Sequence, residues 1–201
     1  MPEISLPKDI RDDVLTVLYR HVGALPWMTM TGRMKSRYYT EWIEDPAIGG
    51  QLADYQTADN MRVWLKDGPL KEYARAIEGV GSYARYTTRR LSTPDEFLQE
   101  ILGKEWQVIP DSIGEKPMHC QTTNGHTARY LCWGGQRTFK DLVWAAVNQA
   151  VRLKSRPIIV VYTLGDEVIP ASQQEQQHAI AEHCGVELRY VERRWENHTP
   201  H

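Results

Sequence analysis

A continuous apolar run at residues 157–163, PIIVVYT, constrains the fold of this 201-residue chain most strongly. A short run rich in β-branched residues is typical of a strand that is buried on both faces of a parallel sheet. The amphipathic segment Asp141–Leu153 precedes it. The strand pattern Val186–Val191 follows a further helix, which Ser172 can cap and Gly185 can end. Strand, helix and strand at this spacing predict a right-handed parallel crossover around a central strand.

A hairpin is predicted upstream of this crossover. The segments Met118–Thr123 and His126–Cys132 flank Asn124-Gly125, which is a strong signal for a two-residue turn. This turn would pair Thr123 with His126 and His119 with Tyr130. With a short strand at residues 106–109, we expect a mixed sheet of four or five strands.

The first hundred residues are predicted to be mainly helical. Thr57 can cap one helix, and Thr93-Pro94-Asp95-Glu96 is a capping-box signal for another. The predicted fold class is α/β, or α+β overall. A helical region at 1–104 and an α/β region at 105–201 are expected to pack as one compact unit.

Composition excludes some classes of function. Lys and Arg total 24 and Asp and Glu total 26, so a net charge of −2 gives no general attraction to nucleic acid or to an anionic membrane. Three cysteines and a charged N-terminus argue against a secreted disulfide framework. We expect a soluble cytoplasmic protein that does not enter a membrane.

The hairpin carries His119, Cys120, His126 and Cys132, whose atom types suit zinc. In the predicted pairing, however, His119 and His126 are offset by four residues, or about 13 Å at ~3.3 Å per residue. One ion cannot bridge that distance, so we predict no metal site here. The same offset counts against these histidines as an acid–base pair, and His119 stays a catalytic candidate only if another element supplies its partner.

Two loops could hold ligands at the carboxyl ends of strands. Asp166 and Glu167 follow the apolar run, where open α/β sheets bind ligands, although a polar turn explains these acids as well. The segment 134–138 (GGQRT) links a predicted strand to a helix. Its backbone amides and Arg137 could bind a phosphate, or its glycines could serve only the turn.

Two stretches interleave basic and aromatic residues, a pattern that suits either a nucleic-acid backbone with stacked bases or a protein interface. The candidate binding residues are Arg33, Lys35, Arg37, Tyr38, Tyr39, Trp42, Arg89 and Arg90. Because the chain has no basic excess, we favour a protein partner.

The segment from Arg129 to Trp195 resembles the back half of Mrr-type restriction-endonuclease-like domains. The resemblance rests on the order of a strand at 129–133, the Asp141–Leu153 helix, the 157–163 strand, a helix and a final strand. It implies an acid before the hairpin, which Asp111 supplies. It also implies Glu or Gln, one residue and Lys on the second strand, where this chain has only Tyr130–Gly135 and then Gln136-Arg137. The resemblance therefore implies a nuclease-like fold whose chemistry is lost.

These observations predict a binding or regulatory protein that engages another protein or a nucleic-acid complex, and that needs no cofactor. The alternative is a small metal-dependent nuclease or phosphodiesterase. It would use Asp111, Asp166 or Glu167 with Mg²⁺.

Overall fold

The computed structural model describes residues 6–153, 155–165 and 167–197, and these divide into two units. The helical unit comprises residues 6–91 with 195–197, and the sheet unit comprises residues 92–194. The sequence prediction divided the chain at residue 104. In the structure, the helix at 94–102 lies in the sheet unit and not with the N-terminal helices. No helix within the described ranges is long and apolar enough to cross a membrane.

The helical unit is built from α1 (Lys8–Gly23), α2 (Gly32–Glu44), α3 (Gly49–Leu52), α4 (Ala58–Asp67) and α5 (Tyr73–Ala76), followed by β1 (Arg89–Leu91). The hydroxyl of Thr31 accepts a hydrogen bond from the Met34 amide, and that of Thr57 accepts one from Asn60. These bonds satisfy amides that a helix start leaves unpaired.

The core of the helical unit lies between these helices. Val14, Leu18 and Val22 of α1 are fully buried, as the spacing of the sequence predicts. Tyr19 is also buried, and its hydroxyl donates to the carbonyl of Pro69 at 2.8 Å. The strand β1 pairs antiparallel with β7 (Trp195–Asn197), which returns the end of the described chain to this unit.

The sheet unit contains α6 (Pro94–Leu102), β2 (Gln107–Val108), β3 (Met118–Thr123), β4 (Ala128–Gly135), α7 (Phe139–Leu153), β5 (Ile158–Leu164), α8 (Ala171–His183) and β6 (Glu187–Arg193). The strand order is β2-β3-β4-β5-β6. The first three strands are antiparallel, and β4, β5 and β6 are parallel. The predicted α/β class is confirmed. The mixed sheet, expected to have four or five strands, has five, and the apolar strand β5 is interior, between β4 and β6.

Both faces of this sheet are covered, which explains the continuous apolar run. On one face, Cys132, Ile159 and Leu188 pack with Leu142 and Ala146 of α7 and with Ala181 of α8. On the other face, the Phe97 ring of α6 meets the Trp133 ring edge-on at 5.6 Å. The helix α6 begins with the predicted capping box between Thr93 and Glu96.

Two local predictions are wrong. The hairpin pairs Thr123 with Ala128 and His119 with Cys132, so its loop has four residues instead of two. The Asn124 side chain accepts hydrogen bonds from the amides of His126 and Thr127, and this stabilises the longer loop. Ser172 does not cap α8, because it lies inside the helix, which begins at Ala171 directly after its N-cap residue Pro170.

Candidate functional site

The carboxyl ends of β4 and β5 meet at one edge of the sheet. Gln136 follows β4 in a 3₁₀ turn and Glu167 follows β5, and the Gln136 amide nitrogen donates to the Glu167 carboxylate at 3.4 Å. The amide oxygen of Gln136 is buried without a hydrogen-bond partner. This pair lies at the carboxyl ends of two adjacent parallel strands, the edge at which open α/β sheets bind ligands.

An open depression of about 260 Å³ adjoins this edge. Its polar lining consists of Thr163, Glu167, Gln174, Tyr190 and Glu192. Tyr190 is already engaged, because its hydroxyl donates to the side chain of Gln177 at 2.9 Å and its ring meets His178. Burial also raises the pKa of the Tyr190 hydroxyl.

The predicted catalytic residues are distributed over separate places. Asp111 is exposed in the loop between β2 and β3 and has a positive φ of 59°. His119 lies on β3, where its Nδ1 is 2.8 Å from the carbonyl of Pro117 and its ring packs on Tyr130. Glu167 follows β5, which lies two strand positions from β3 at about 4.8 Å per strand. Asp166 lies outside the described residues.

Metal coordination is not prearranged in the part of the chain that the structure describes. Within it, no three His, Cys, Asp or Glu side chains are grouped so that they could hold an ion. His119 and Cys132 do oppose each other on one face of the hairpin, but His126 lies in the loop at its far end, and Cys120 points to the opposite face.

Two of the three predicted basic residues of α2 lie on its outer side. Arg33 is exposed, and Arg37 pairs with Glu41 at 2.8 Å one turn later. Lys35 instead folds its ammonium group over the Trp27 ring, 4.9 Å from the ring centre. Only part of this predicted basic track therefore faces outward.

The predicted aromatic residues of α2 lie on its inner side. Tyr39 and Trp42 are 9% and 4% exposed. Both rings pack on Trp27, which is buried as well, and Tyr38 packs half-buried against Trp42. These rings form part of the core of the helical unit, so a partner could contact Tyr39 or Trp42 only if that core opened.

The second predicted basic stretch is tied into the same unit. Arg89 lies over the Trp195 ring at 4.2 Å and donates to the carbonyl of Leu25. Arg90 pairs with Glu196 at 2.9 Å. Both arginines thus fasten β1 to its surroundings. Arg137, by contrast, is exposed in the turn that precedes α7.

The outer side of α7 carries apolar residues that the sequence reasoning missed. Trp144 is 70% exposed and Val151 is 79% exposed. They lie seven residues apart, which places them on one side of the helix two turns apart. The signal was available in the sequence, because the buried stripe through Leu142 and Ala146 leaves Trp144 and Val151 among polar residues.

The chain matches no family model, and neither curated proteins nor solved structures gave a match. The geometry of the two units is therefore the basis for inferring function.

Proposed function

We propose that this chain is a protein-binding protein and that the outer side of α7 is its contact surface. The exposure of the Trp144 indole is the observation that carries the proposal. Tryptophan is among the residues that contribute most to binding energy at protein interfaces, and it is costly to leave in water.

Trp144 and Val151 are not needed by the core of the sheet unit. The helix already buries Leu142 and Ala146 against β4 and β5. Replacing the two exposed residues by polar ones would leave that packing intact. A contact surface is a physical reason for apolar side chains at these two positions.

Polar residues surround this apolar pair. Lys140 and Asp141 are exposed in the first turn of α7, Asn148 lies between Trp144 and Val151, and Arg152 is exposed in the last turn. An apolar centre with a charged rim is the arrangement of residues in a typical protein interface.

A nucleic-acid partner has weaker support. Arg37 and Arg90 form ion pairs, and Arg89 is held by an aromatic ring and a backbone carbonyl. A phosphate backbone would have to compete with these contacts. Binding of a protein should persist at high salt, whereas phosphate contacts weaken steeply as counterions are released.

The test is site-specific photocrosslinking in the cells that produce the protein. A photoreactive phenylalanine analogue at position 144 should give a discrete covalent adduct. The same analogue at Val63, an exposed apolar position on a helix of the other unit, is the matched control. If position 144 gives no protein adduct beyond that of the control, the proposal is wrong.

The alternative of a metal-dependent nuclease stays a prediction. Purified protein can be incubated with labelled RNA and DNA, with and without Mg²⁺ or Mn²⁺. Metal-dependent cleavage that is lost in Glu167→Ala, but not in Glu175→Ala on the exposed surface of α8, would support this alternative over a binding function.

A further inference from the structure

We propose that the partner of α7 is α7 of a second copy of this chain, packed antiparallel across a two-fold axis close to Asn148. This inference rests on the proposed function and names the partner for the same surface. Its support is the order of exposed residues along the helix.

These residues form a stripe with the spacing of a helix–helix seam. Asp141, Trp144, Asn148 and Val151 are all exposed and follow one another at intervals of three, four and three residues. That alternation keeps side chains on one side of a helix and facing a neighbouring helix. The stripe is about 15 Å long at ~1.5 Å per residue.

The stripe on one helix is complementary to the same stripe on a second helix that runs in the opposite direction. If Trp144 packs on Val151 of the second copy, then Val151 packs on Trp144 of the second copy, because a two-fold axis makes each contact twice. The axis then passes between residues 147 and 148. Asn148 meets its equivalent there, and each amide offers a donor and an acceptor to the other.

The pair of Asp141 and Arg152 favours the antiparallel direction. Asp141 lies in the first turn of α7 and Arg152 in the last. Antiparallel packing places Asp141 within about 3 Å of the level of Arg152 of the second copy, at ~1.5 Å per residue. It also brings the positive end of each helix dipole to the negative end of the other. Parallel packing would oppose Asp141 to Asp141 and Arg152 to Arg152.

Engineered disulfides test this geometry. Cys120 and Cys132 are fully buried, so replacing the half-buried Cys184 by Ala gives a background without an accessible thiol. In that background, Asn148→Cys should form a covalent dimer under mild oxidation, because its two copies lie beside the axis. Asp141→Cys should not, because its two copies are about 20 Å apart along the helices. A mixture of Asp141→Cys and Arg152→Cys should form a mixed dimer.

The crosslinking result can overturn the inference in two ways. If Asp141→Cys crosslinks as efficiently as Asn148→Cys, the helices are not antiparallel at this register. If none of these variants forms a dimer, a second copy is not the partner.

Sedimentation equilibrium of the unmodified chain provides an independent measure. One small helix pair gives an interface at the weak end of the range, so we expect dimer dissociation with a Kd on the order of micromolar. Trp144→Ala should weaken association at least about tenfold, and Val63→Ala should leave it unchanged. Circular dichroism confirms folding, and Trp144→Gln serves as the second variant if Trp144→Ala does not fold.

The two proposals fail separately. A chain that stays monomeric at all concentrations, while position 144 crosslinks to a different protein in cells, contradicts the second copy and supports a protein-binding surface. A monomeric chain with no adduct at position 144 contradicts both proposals.

Discussion

At the scale of single residues, burial decides the chemistry of two of the three thiols. Desolvation raises the pKa of Cys120 to about 12 and that of Cys132 to about 12, from an ordinary value of 9.0. Cys184 is only partly buried. Since the thiolate is the reactive form, Cys120 and Cys132 behave as small apolar residues of the core.

Thiol titration at pH 8 checks this difference. We expect one thiol, Cys184, to react with a disulfide reagent in the folded protein, and all three to react in denaturant. In the folded state, Cys120 and Cys132 keep their protons up to a higher pH than in the unfolded state. Their contribution to the free energy of unfolding is therefore complete below pH 9. It is lost as the pH rises from 9 towards about 12. Fast reaction of two or more thiols in the native state would contradict the burial.

A buried arginine provides a second prediction at this scale. Arg193 is 1% exposed and lies between the rings of Phe97 and Tyr162, at 5.0 and 5.1 Å from their centres. Its guanidinium also donates to the carbonyl of Ser92. Arg193→Lys keeps the charge and loses the flat group that both rings contact, so we expect it to lower the free energy of unfolding by about 1–3 kcal/mol.

The matched control for Arg193 is Arg189 on the same strand. Its side chain is 48% exposed and pairs with Glu187. Arg189→Lys should change the free energy of unfolding by less than about 0.5 kcal/mol in urea denaturation. Equal effects of the two substitutions would show that the ring contacts of Arg193 contribute little.

The periodicity of the sequence predicted which residues are buried better than the residue types alone did. On α2, Arg33 and Arg37 share the outer side, whereas Tyr39 and Trp42 share the buried one. The mixed composition suggested one binding track, but a period of 3.6 residues divides it into a solvent side and a core side. The same periodicity would have identified Trp144 as an apolar residue on a polar side.

At the scale of elements, sequence signals predicted helix starts correctly where a nearby side chain forms hydrogen bonds with the free backbone amides. Thr57 and the Thr93 capping box were predicted correctly, because a cap depends on a few neighbouring residues. The hairpin register was not, because the two-residue signal of Asn124-Gly125 competes with the hydrogen bonds that the Asn124 side chain accepts from the amides of His126 and Thr127. The three-dimensional arrangement of the loop decides which turn forms. The preferences of residue types for turn positions do not describe that arrangement.

A close helix approach at Gly49 gives the prediction at this scale. A Cβ atom on Gly49 would lie 1.8 Å from the carbonyl oxygen of Ile43, whereas one on Gly50 has 3.7 Å to its nearest neighbour. Gly49→Ala must therefore shift the backbone, at a cost of about 1–3 kcal/mol or more. Gly50→Ala should be neutral or stabilise by up to about 1 kcal/mol, because alanine restricts the unfolded chain. Thermal denaturation of the two variants distinguishes them.

At the scale of the whole molecule, the order of strands and helices in the sheet unit could be read from the sequence, whereas the pairing of β1 with β7 could not. The apolar run at 157–163 specified an interior parallel strand, because only a strand covered on both faces excludes polar residues so completely. The return of residues 195–197 to β1 depends on pairing between segments that are about a hundred residues apart. No local pattern encodes such a pairing.

Two valines of the sheet unit separate stability from association. Val160 is fully buried on β5, and Val151 is 79% exposed on α7. Val160→Asp would bury a charge without a partner, so we expect the sheet unit to unfold and the cooperative denaturation transition to be lost. Val151→Asp should change the free energy of unfolding by less than about 0.5 kcal/mol, because its side chain stays in water in the monomer. In the antiparallel pair it would place a carboxylate against Trp144 of the second copy, so self-association should fall at least about tenfold in sedimentation equilibrium. If Val151→Asp unfolded the chain as Val160→Asp does, α7 would be packed along both sides within one copy, and its outer side would not be a contact surface.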